Sequence, residues 1–119
     1  MKHITKEDAL RALEEAVAEK GEDYIYQYTD SDDWRSYTCT YVRAGEPDCM
    51  IGNALHRLGV PLDAFAPHEE KAFDRIADDV APGIEEEAVR ALRAAQSVQD
   101  QGRTWGEALR AAREVAPDA

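Results

Sequence analysis

The sequence has 119 residues and a formal net charge of −11, with 44% hydrophobic and 33% charged side chains. This length suits one core, so we predict a single domain over residues 1–119. The negative charge disfavours nucleic acid and anionic lipid as partners, because both are bound by clustered Lys and Arg. It leaves open a mimic of duplex DNA, which would need two phosphate-like rows of carboxylates.

The sequence also predicts a compartment. It contains no apolar run long enough to span a membrane, and its first residues lack the apolar core and cleavage site of a signal peptide. We therefore predict a cytoplasmic protein. Two cysteines are too few for a disulfide scaffold, and a cytoplasmic protein keeps its thiols reduced by default.

The first predicted element is an amphipathic helix that begins after Thr5 and ends at Gly21. Residues 5–8 resemble a capping box in which Asp8 takes the role of the usual Glu. Leu13 and Val17 recur at helical spacing, which gives the helix one apolar face.

Two β-rich runs follow, over residues 23–29 and 37–42, with a polar acidic loop between them. Such a pair predicts an antiparallel hairpin. Its aromatic face either packs on the helices or is exposed to bind a protein, because Tyr and Trp dominate interface energies. Stacking of single-stranded bases lacks the basic groove that it would need. The candidate binding residues are Tyr24, Tyr26, Tyr28, Trp34, Tyr37 and Tyr41.

A short apolar helix is predicted within residues 47–60. Asp48 is placed to cap its start, and Gly59 with Val60 is typical of a Schellman stop. Gly52 inside the helix costs roughly 1 kcal/mol relative to Ala. We therefore predict that another backbone approaches Gly52 closely, with the hairpin as the leading candidate.

Three more helices complete the prediction. One begins at Pro67 and is broken at residues 82–83; a long one follows and ends at Gly102; the last starts with the capping box of Thr104 and Glu107. The predicted fold class is α+β: an N-terminal helix, a two-stranded antiparallel hairpin, and a mostly helical C-terminal part of about four helices.

Cys49 lies in the first turn of the central helix, where the positive helix end lowers the pKa of a thiol. Cys49 and Gly52, followed by residues 58–60, are similar to the nucleophile helix of the NlpC-type cysteine peptidases. That family places its Gly two residues after the Cys and takes its base from a downstream strand. His56 lies about two turns along the same helix, which leaves His68 as the candidate base. A small buried cysteine is the favoured interpretation.

The residues that could bind a metal have no pair at zinc-knuckle spacing. A calcium loop starting at Asp30 fails too, because Trp34 and Arg35 occupy its fifth and sixth positions. We predict no metal and no cofactor. The candidate nitrogen and sulfur ligands are His3, Cys39, Cys49, His56 and His68.

Two segments resemble small uncharacterised proteins of actinobacteria and their phages. The first covers residues 45–55 and 58–60. The second covers residues 95–109 and is similar to a Gln-Asp-x-Gly-x-x-Trp-Gly-x-Ala ending. The resemblance implies a phage or prophage accessory protein, and it implies no activity. If a phage encodes the protein, the predicted compartment is the host cytoplasm.

Our leading hypothesis is a non-enzymatic protein that binds a host protein through an acidic or Tyr-rich surface, as a monomer or homodimer. The first alternative is a cysteine hydrolase that uses Cys49 and His68. The second is a protein that sequesters a small nucleotide-like ligand, which would require a pocket with several Arg donors.

Overall fold

The computed structural model describes residues 3–25, 41–43, 46–47, 49–68 and 73–115. Within these residues the chain forms five α-helices, one 3-10 helix and two short β-strands. In chain order the elements are α1 (Lys6–Lys20), β1 (Val42–Arg43), β2 (Glu46–Pro47), α2 (Met50–Arg57), the 3-10 helix (Leu62–His68), α3 (Phe73–Val80), α4 (Glu86–Asp100) and α5 (Trp105–Val115).

The fold is mostly helical, so the predicted α+β fold built on a hairpin is wrong. β1 and β2 have two residues each and pair antiparallel with one another, with Val42 opposite Pro47. Ile25, within the first predicted strand, makes an isolated bridge to Thr104. Most of the two predicted strands falls within residues 26–40, outside the described residues.

The described end of the first predicted strand packs on α5 because its backbone carbonyls satisfy the start of that helix. The N–H of Trp105 donates to the carbonyl of Tyr24 at 2.8 Å, and that of Gly106 to the carbonyl of Glu22 at 2.9 Å. The first N–H groups of a helix have no partner within it. Alternating aromatic residues favour a strand only where a neighbouring strand completes the ladder, and here a helix end takes that place.

The capping boxes predicted at the two ends of the chain are confirmed. In α1, Thr5 Oγ1 accepts from the N–H of Asp8, and the Asp8 carboxylate accepts from the N–H of Thr5, both at 3.1 Å. At α5, the N–H of Glu107 donates to Thr104 Oγ1 at 3.1 Å, and Glu107 Oε1 accepts from the N–H of Thr104 at 3.3 Å. The residues of α5 predicted to face inward, Trp105, Ala108, Leu109 and Ala112, are all buried.

The end of α2 is the predicted Schellman stop. The N–H of Val60 donates to the carbonyl of Leu55 at 3.0 Å, and that of Gly59 to the carbonyl of His56 at 3.1 Å. Gly59 has a φ of 91°, which a residue with a Cβ rarely adopts. Asp48, the predicted cap at the other end, lies outside the described residues, and Cys49 occupies the N-cap position.

Gly52 is where another backbone touches α2, as predicted. A Cβ built at Gly52 would lie on the carbonyl group of Tyr41, 3.0 Å from its carbonyl carbon. That contact is with backbone, which cannot rotate away as a side chain can. The segment entering β1 therefore lies directly against α2.

The helix predicted from Pro67 begins later than expected. Pro67 lies inside the 3-10 helix, and α3 begins at Phe73. The break predicted at residues 82–83 is present, with Gly83 at a φ of 92°. α4 then runs through the middle of the molecule and contacts α1, α2, α3 and α5.

Two buried glutamines on α4 join three helices, which the sequence did not reveal. Gln96 Oε1 accepts from the N–H of Phe73 at 2.8 Å, while its Nε2 donates to the hydroxyl of Tyr41 at 2.8 Å. Gln99 Oε1 accepts from the N–H of Met50 at 2.8 Å. The two amides thus satisfy first-turn N–H groups of α3 and α2, a task that local caps perform at α1 and α5.

Candidate binding groove

The predicted aromatic binding face does not include Tyr41. Its side chain is fully buried, and its ring stacks on Phe65 with the ring centroids 4.9 Å apart. Because its hydroxyl also accepts from Gln96, Tyr41 belongs to the core. Its assignment to an exposed binding surface is therefore corrected.

Tyr24 is half-buried against α5. Its ring meets the Trp105 ring edge-on at 4.7 Å between centroids, and Lys20 Nζ lies 5.6 Å from the ring centroid. These contacts cover much of the Tyr24 ring, so packing explains its partial burial. The remaining candidates, Tyr26, Tyr28, Trp34 and Tyr37, lie outside the described residues, so a contact surface formed by them stays a prediction.

Cys49 is buried, as favoured, and its sulfur is disulfide-bonded in this structure, where a reduced thiol was expected. The only other cysteine in the sequence is Cys39, which lies outside the described residues. A cysteine nucleophile acts as a thiolate, and a disulfide sulfur carries none. The candidate base His68 has its Nε2 3.3 Å from Asp79 Oδ2, and its buried Nδ1 finds no hydrogen-bond partner among the described residues.

The described part of the chain contains neither a metal-binding cluster nor a membrane-spanning helix. No group of three or more His, Cys, Asp and Glu side chains there is placed to hold a metal ion. None of the described helices combines the length and apolar character that crossing a membrane requires.

A groove of about 570 Å³ lies on the outer face of α4, between α3 and the end of α5. Most of its residues lie on successive turns of α4, which places them on one side of that helix. Asp74 forms one wall from α3, and Val115 the other from α5. The α4 residues are Val89, Arg90, Arg93, Ala94 and Ser97.

Within the described part of the chain, the charged residues of the groove form exposed ion pairs. Arg93 Nε lies 3.3 Å from Asp74 Oδ1, and Arg90 Nη2 lies 3.1 Å from Glu86 Oε1. The two Arg side chains are 39% and 66% exposed, respectively. Exposed pairs of this kind contribute about 0–1 kcal/mol, so a ligand can displace them at little cost.

The groove also presents apolar surface. Val115 is 49% exposed, and among the described residues only Ile25 is another large hydrophobic side chain with comparable exposure. Val89 and Ala94 are partly exposed beside it. Guanidinium groups bind anionic groups, and the aliphatic surface beside them binds apolar ones. The groove therefore suits a segment that has both.

Sequence reasoning missed this groove for a physical reason. The spacing of Arg90, Arg93 and Ser97 does indicate a shared helix face, and that signal was available. Asp74 and Val115, however, reach the groove from other helices, and their placement depends on how α3 and α5 pack.

A smaller cavity of about 150 Å³ lies between the end of α2 and the end of α3, beside Ile4. Its lining is wholly apolar apart from backbone, so it offers no side chain that could orient a polar ligand. It is lined by Ile4, Leu58, Gly59, Val60, Pro61, Val80, Ala81 and Pro82.

Comparison with known proteins adds no relative: no family model, curated protein or solved structure matches the chain.

Proposed function

We propose that this chain is a non-enzymatic accessory protein of phage type that binds a host protein, and that the α4 groove is its contact surface. The observation that carries the proposal is the exposed groove itself, in which Val115 and Ala94 adjoin Arg90 and Arg93. Arg is enriched at protein interfaces and among the residues that carry most of their binding energy, and the buried centre of an interface is more apolar than its rim.

The proposed contact surface is the α4 groove and not the aromatic face that the sequence predicts. With Tyr41 in the core and Tyr24 packed on Trp105, the described aromatic residues offer little exposed area. The net charge of −11 still bears on partner choice, because it disfavours partners that are acidic over a large area. The phage origin rests on the resemblance of residues 45–55, 58–60 and 95–109 alone.

The cytoplasmic location remains a proposal that the thiol state of Cys49 can test. A disulfide at Cys49 is more typical of an oxidising compartment than of a bacterial cytoplasm. We expect that rapid alkylation of intact expressing cells traps Cys49 in its reduced form if the cytoplasmic proposal holds. Recovery of Cys49 fully oxidised would contradict it.

The binding proposal is tested by capture of a partner with matched variants. Ala94→Glu places a charge in the groove, whereas Ala18→Glu makes the same change on an exposed position of α1. Both positions are helical, so Glu is tolerated by the backbone. We expect wild type and Ala18→Glu to retain one common host protein from an actinobacterial lysate, and Ala94→Glu to lose it.

Two outcomes of that experiment contradict the proposal. One is that wild type retains no protein above background. The other is that Ala94→Glu retains the same protein as well as Ala18→Glu does, since binding would then take place elsewhere. Sedimentation of the wild type and of its complex decides between a monomer and a homodimer as the binding form.

A further inference from the structure

We propose that the α4 groove recognises a short segment of its protein partner in which a carboxylate side chain adjoins an aliphatic one. This inference rests on the proposed function and specifies the chemistry of the partner. Arg90 and Arg93 would bind the carboxylate, while Val89, Ala94 and Val115 contact the aliphatic side chain.

The spacing of the two arginines suits a single carboxylate. Arg90 and Arg93 are three residues apart on α4, and side chains at that spacing have Cβ atoms roughly 5–6 Å apart. Two guanidinium groups that start so close can converge on the two oxygens of one carboxylate. Guanidinium and carboxylate match as planar bidentate partners, which makes these hydrogen bonds strong and directional.

Asp74 orients Arg93 by pairing with part of its guanidinium group, which carries five N–H donors in all. Asp74 Oδ1 lies 3.3 Å from Nε of Arg93, and one carboxylate can occupy only one edge of a guanidinium group. Among the described residues, Arg90 pairs with Glu86, and the two side chains are 66% and 79% exposed. A ligand carboxylate can therefore bind the Nη groups of Arg93 and replace Glu86 at Arg90.

Charge complementarity favours a carboxylate segment over a polyanion. Among the described residues, Arg90 and Arg93 are balanced by Glu86 and Asp74, and the whole chain carries a net charge of −11. That overall charge repels ligands in proportion to their own negative charge. A segment with one carboxylate and an aliphatic side chain can exchange with Glu86 at Arg90 and meets little repulsion, whereas a nucleoside triphosphate meets several times more.

The test uses two peptides that differ by one group. Acetyl-Leu-Glu-Leu-amide is titrated into the isotope-labelled full chain, followed by acetyl-Leu-Gln-Leu-amide and then ATP. We expect the Glu peptide to shift the methyl resonances of Val89, Ala94 and Val115, and to bind about tenfold more tightly than the Gln peptide. ATP is expected to bind more weakly than the Glu peptide.

The variants separate the arginines from general charge effects. Arg90→Gln combined with Arg93→Gln is expected to reduce the preference for Glu over Gln to about onefold. Arg110→Gln removes an exposed positive charge from α5 outside the groove and is expected to keep the preference. Circular dichroism and a thermal melt verify that each variant is folded before titration.

Several outcomes would overturn the inference: equal binding of the Glu and Gln peptides, methyl shifts confined to other residues, or tighter binding of ATP, which would point to the nucleotide-like ligand. Failure here is distinguishable from failure of the proposed function. If Ala94→Glu loses the host protein while the double Arg variant retains it, the groove binds protein but does not recognise a carboxylate.

Discussion

The inner and outer faces of α4 use polar side chains in opposite ways. On the inner face, Gln96 and Gln99 are at most 1% exposed, and each amide accepts from a backbone N–H of another helix. On the outer face, Arg90 and Arg93 are exposed and hold single carboxylates in surface ion pairs. One helix therefore carries both a fixed polar network and a set of donors that can exchange partners.

The difference follows from the surroundings of each group. A buried N–H without an acceptor lowers the free energy of unfolding by about 1–3 kcal/mol, so replacing either glutamine destabilises the fold. An exposed ion pair contributes about 0–1 kcal/mol because water and salt replace either partner. Binding capacity is therefore expected on the outer face and structural stability on the inner one.

Gln96→Leu should give the largest effect. The change removes the acceptor of the Phe73 N–H and the donor to the Tyr41 hydroxyl, and both bonds are buried. We expect a loss of about 2–4 kcal/mol in the free energy of unfolding, measured by urea denaturation. Gln101→Leu makes the same change at an exposed position just beyond α4 and should alter stability by less than about 0.5 kcal/mol. Equal losses in the two variants would refute the structural role of Gln96.

Gln99→Leu should have a smaller effect, because its buried bond to another helix is the single one from Met50. We expect a loss of about 1–3 kcal/mol. Amide hydrogen exchange gives the sharper readout: protection should fall at Met50 in this variant and at Phe73 in Gln96→Leu. The idea that each glutamine caps its own helix fails if the two exchange patterns are the same.

The features that could be predicted from the sequence are those whose partners lie close along the chain. The capping boxes of Thr5 with Asp8 and of Thr104 with Glu107 span three residues each, and the Schellman stop at Gly59 spans five or fewer. The close backbone contact at Gly52 was also predicted, because a glycine inside an apolar helix requires a packing reason.

The features that could not be predicted depend on tertiary partners. Gln99 reaches Met50 across 49 residues, and Gln96 reaches Tyr41 across 55. A glutamine in an Ala-rich helix gives no local sign of such a bond. The predicted α+β fold class was wrong for the same reason, since Tyr24 pairs its backbone with the start of α5 and Tyr41 is buried against Phe65.

Arg93→Gln tests the outer face and should leave stability nearly unchanged. Its ion pair with Asp74 joins side chains that are 39% and 57% exposed, so we expect a change below about 1 kcal/mol in urea denaturation. The same variant should weaken binding of the Glu peptide severalfold. A stability loss as large as that of Gln99→Leu would place Arg93 with the structural residues and remove the distinction between the two faces.

The smallest effect concerns a cap that can titrate, unlike the amides of Gln96 and Gln99. The N–H of Thr104 and then the guanidinium of Arg103 lower the pKa of Glu107 below its ordinary value. A carboxyl group whose pKa is lower in the folded state stabilises the protein above the unfolded pKa, and this contribution disappears as the pH falls through the folded pKa. We therefore expect Glu107→Gln to reduce the dependence of stability on pH in that acidic range.

Denaturation of wild type and Glu107→Gln between neutral and acidic pH measures this dependence. Glu114→Gln removes the same charge from an exposed position of α5 and serves as the matched control. A steeper loss of stability with acid in wild type than in Glu107→Gln, with Glu114→Gln following wild type, supports a titrating cap at α5. Because the amide caps of α2 and α3 carry no charge, Gln96→Leu should lower the whole stability curve without changing that slope, and a changed slope would link Gln96 to a titrating group instead.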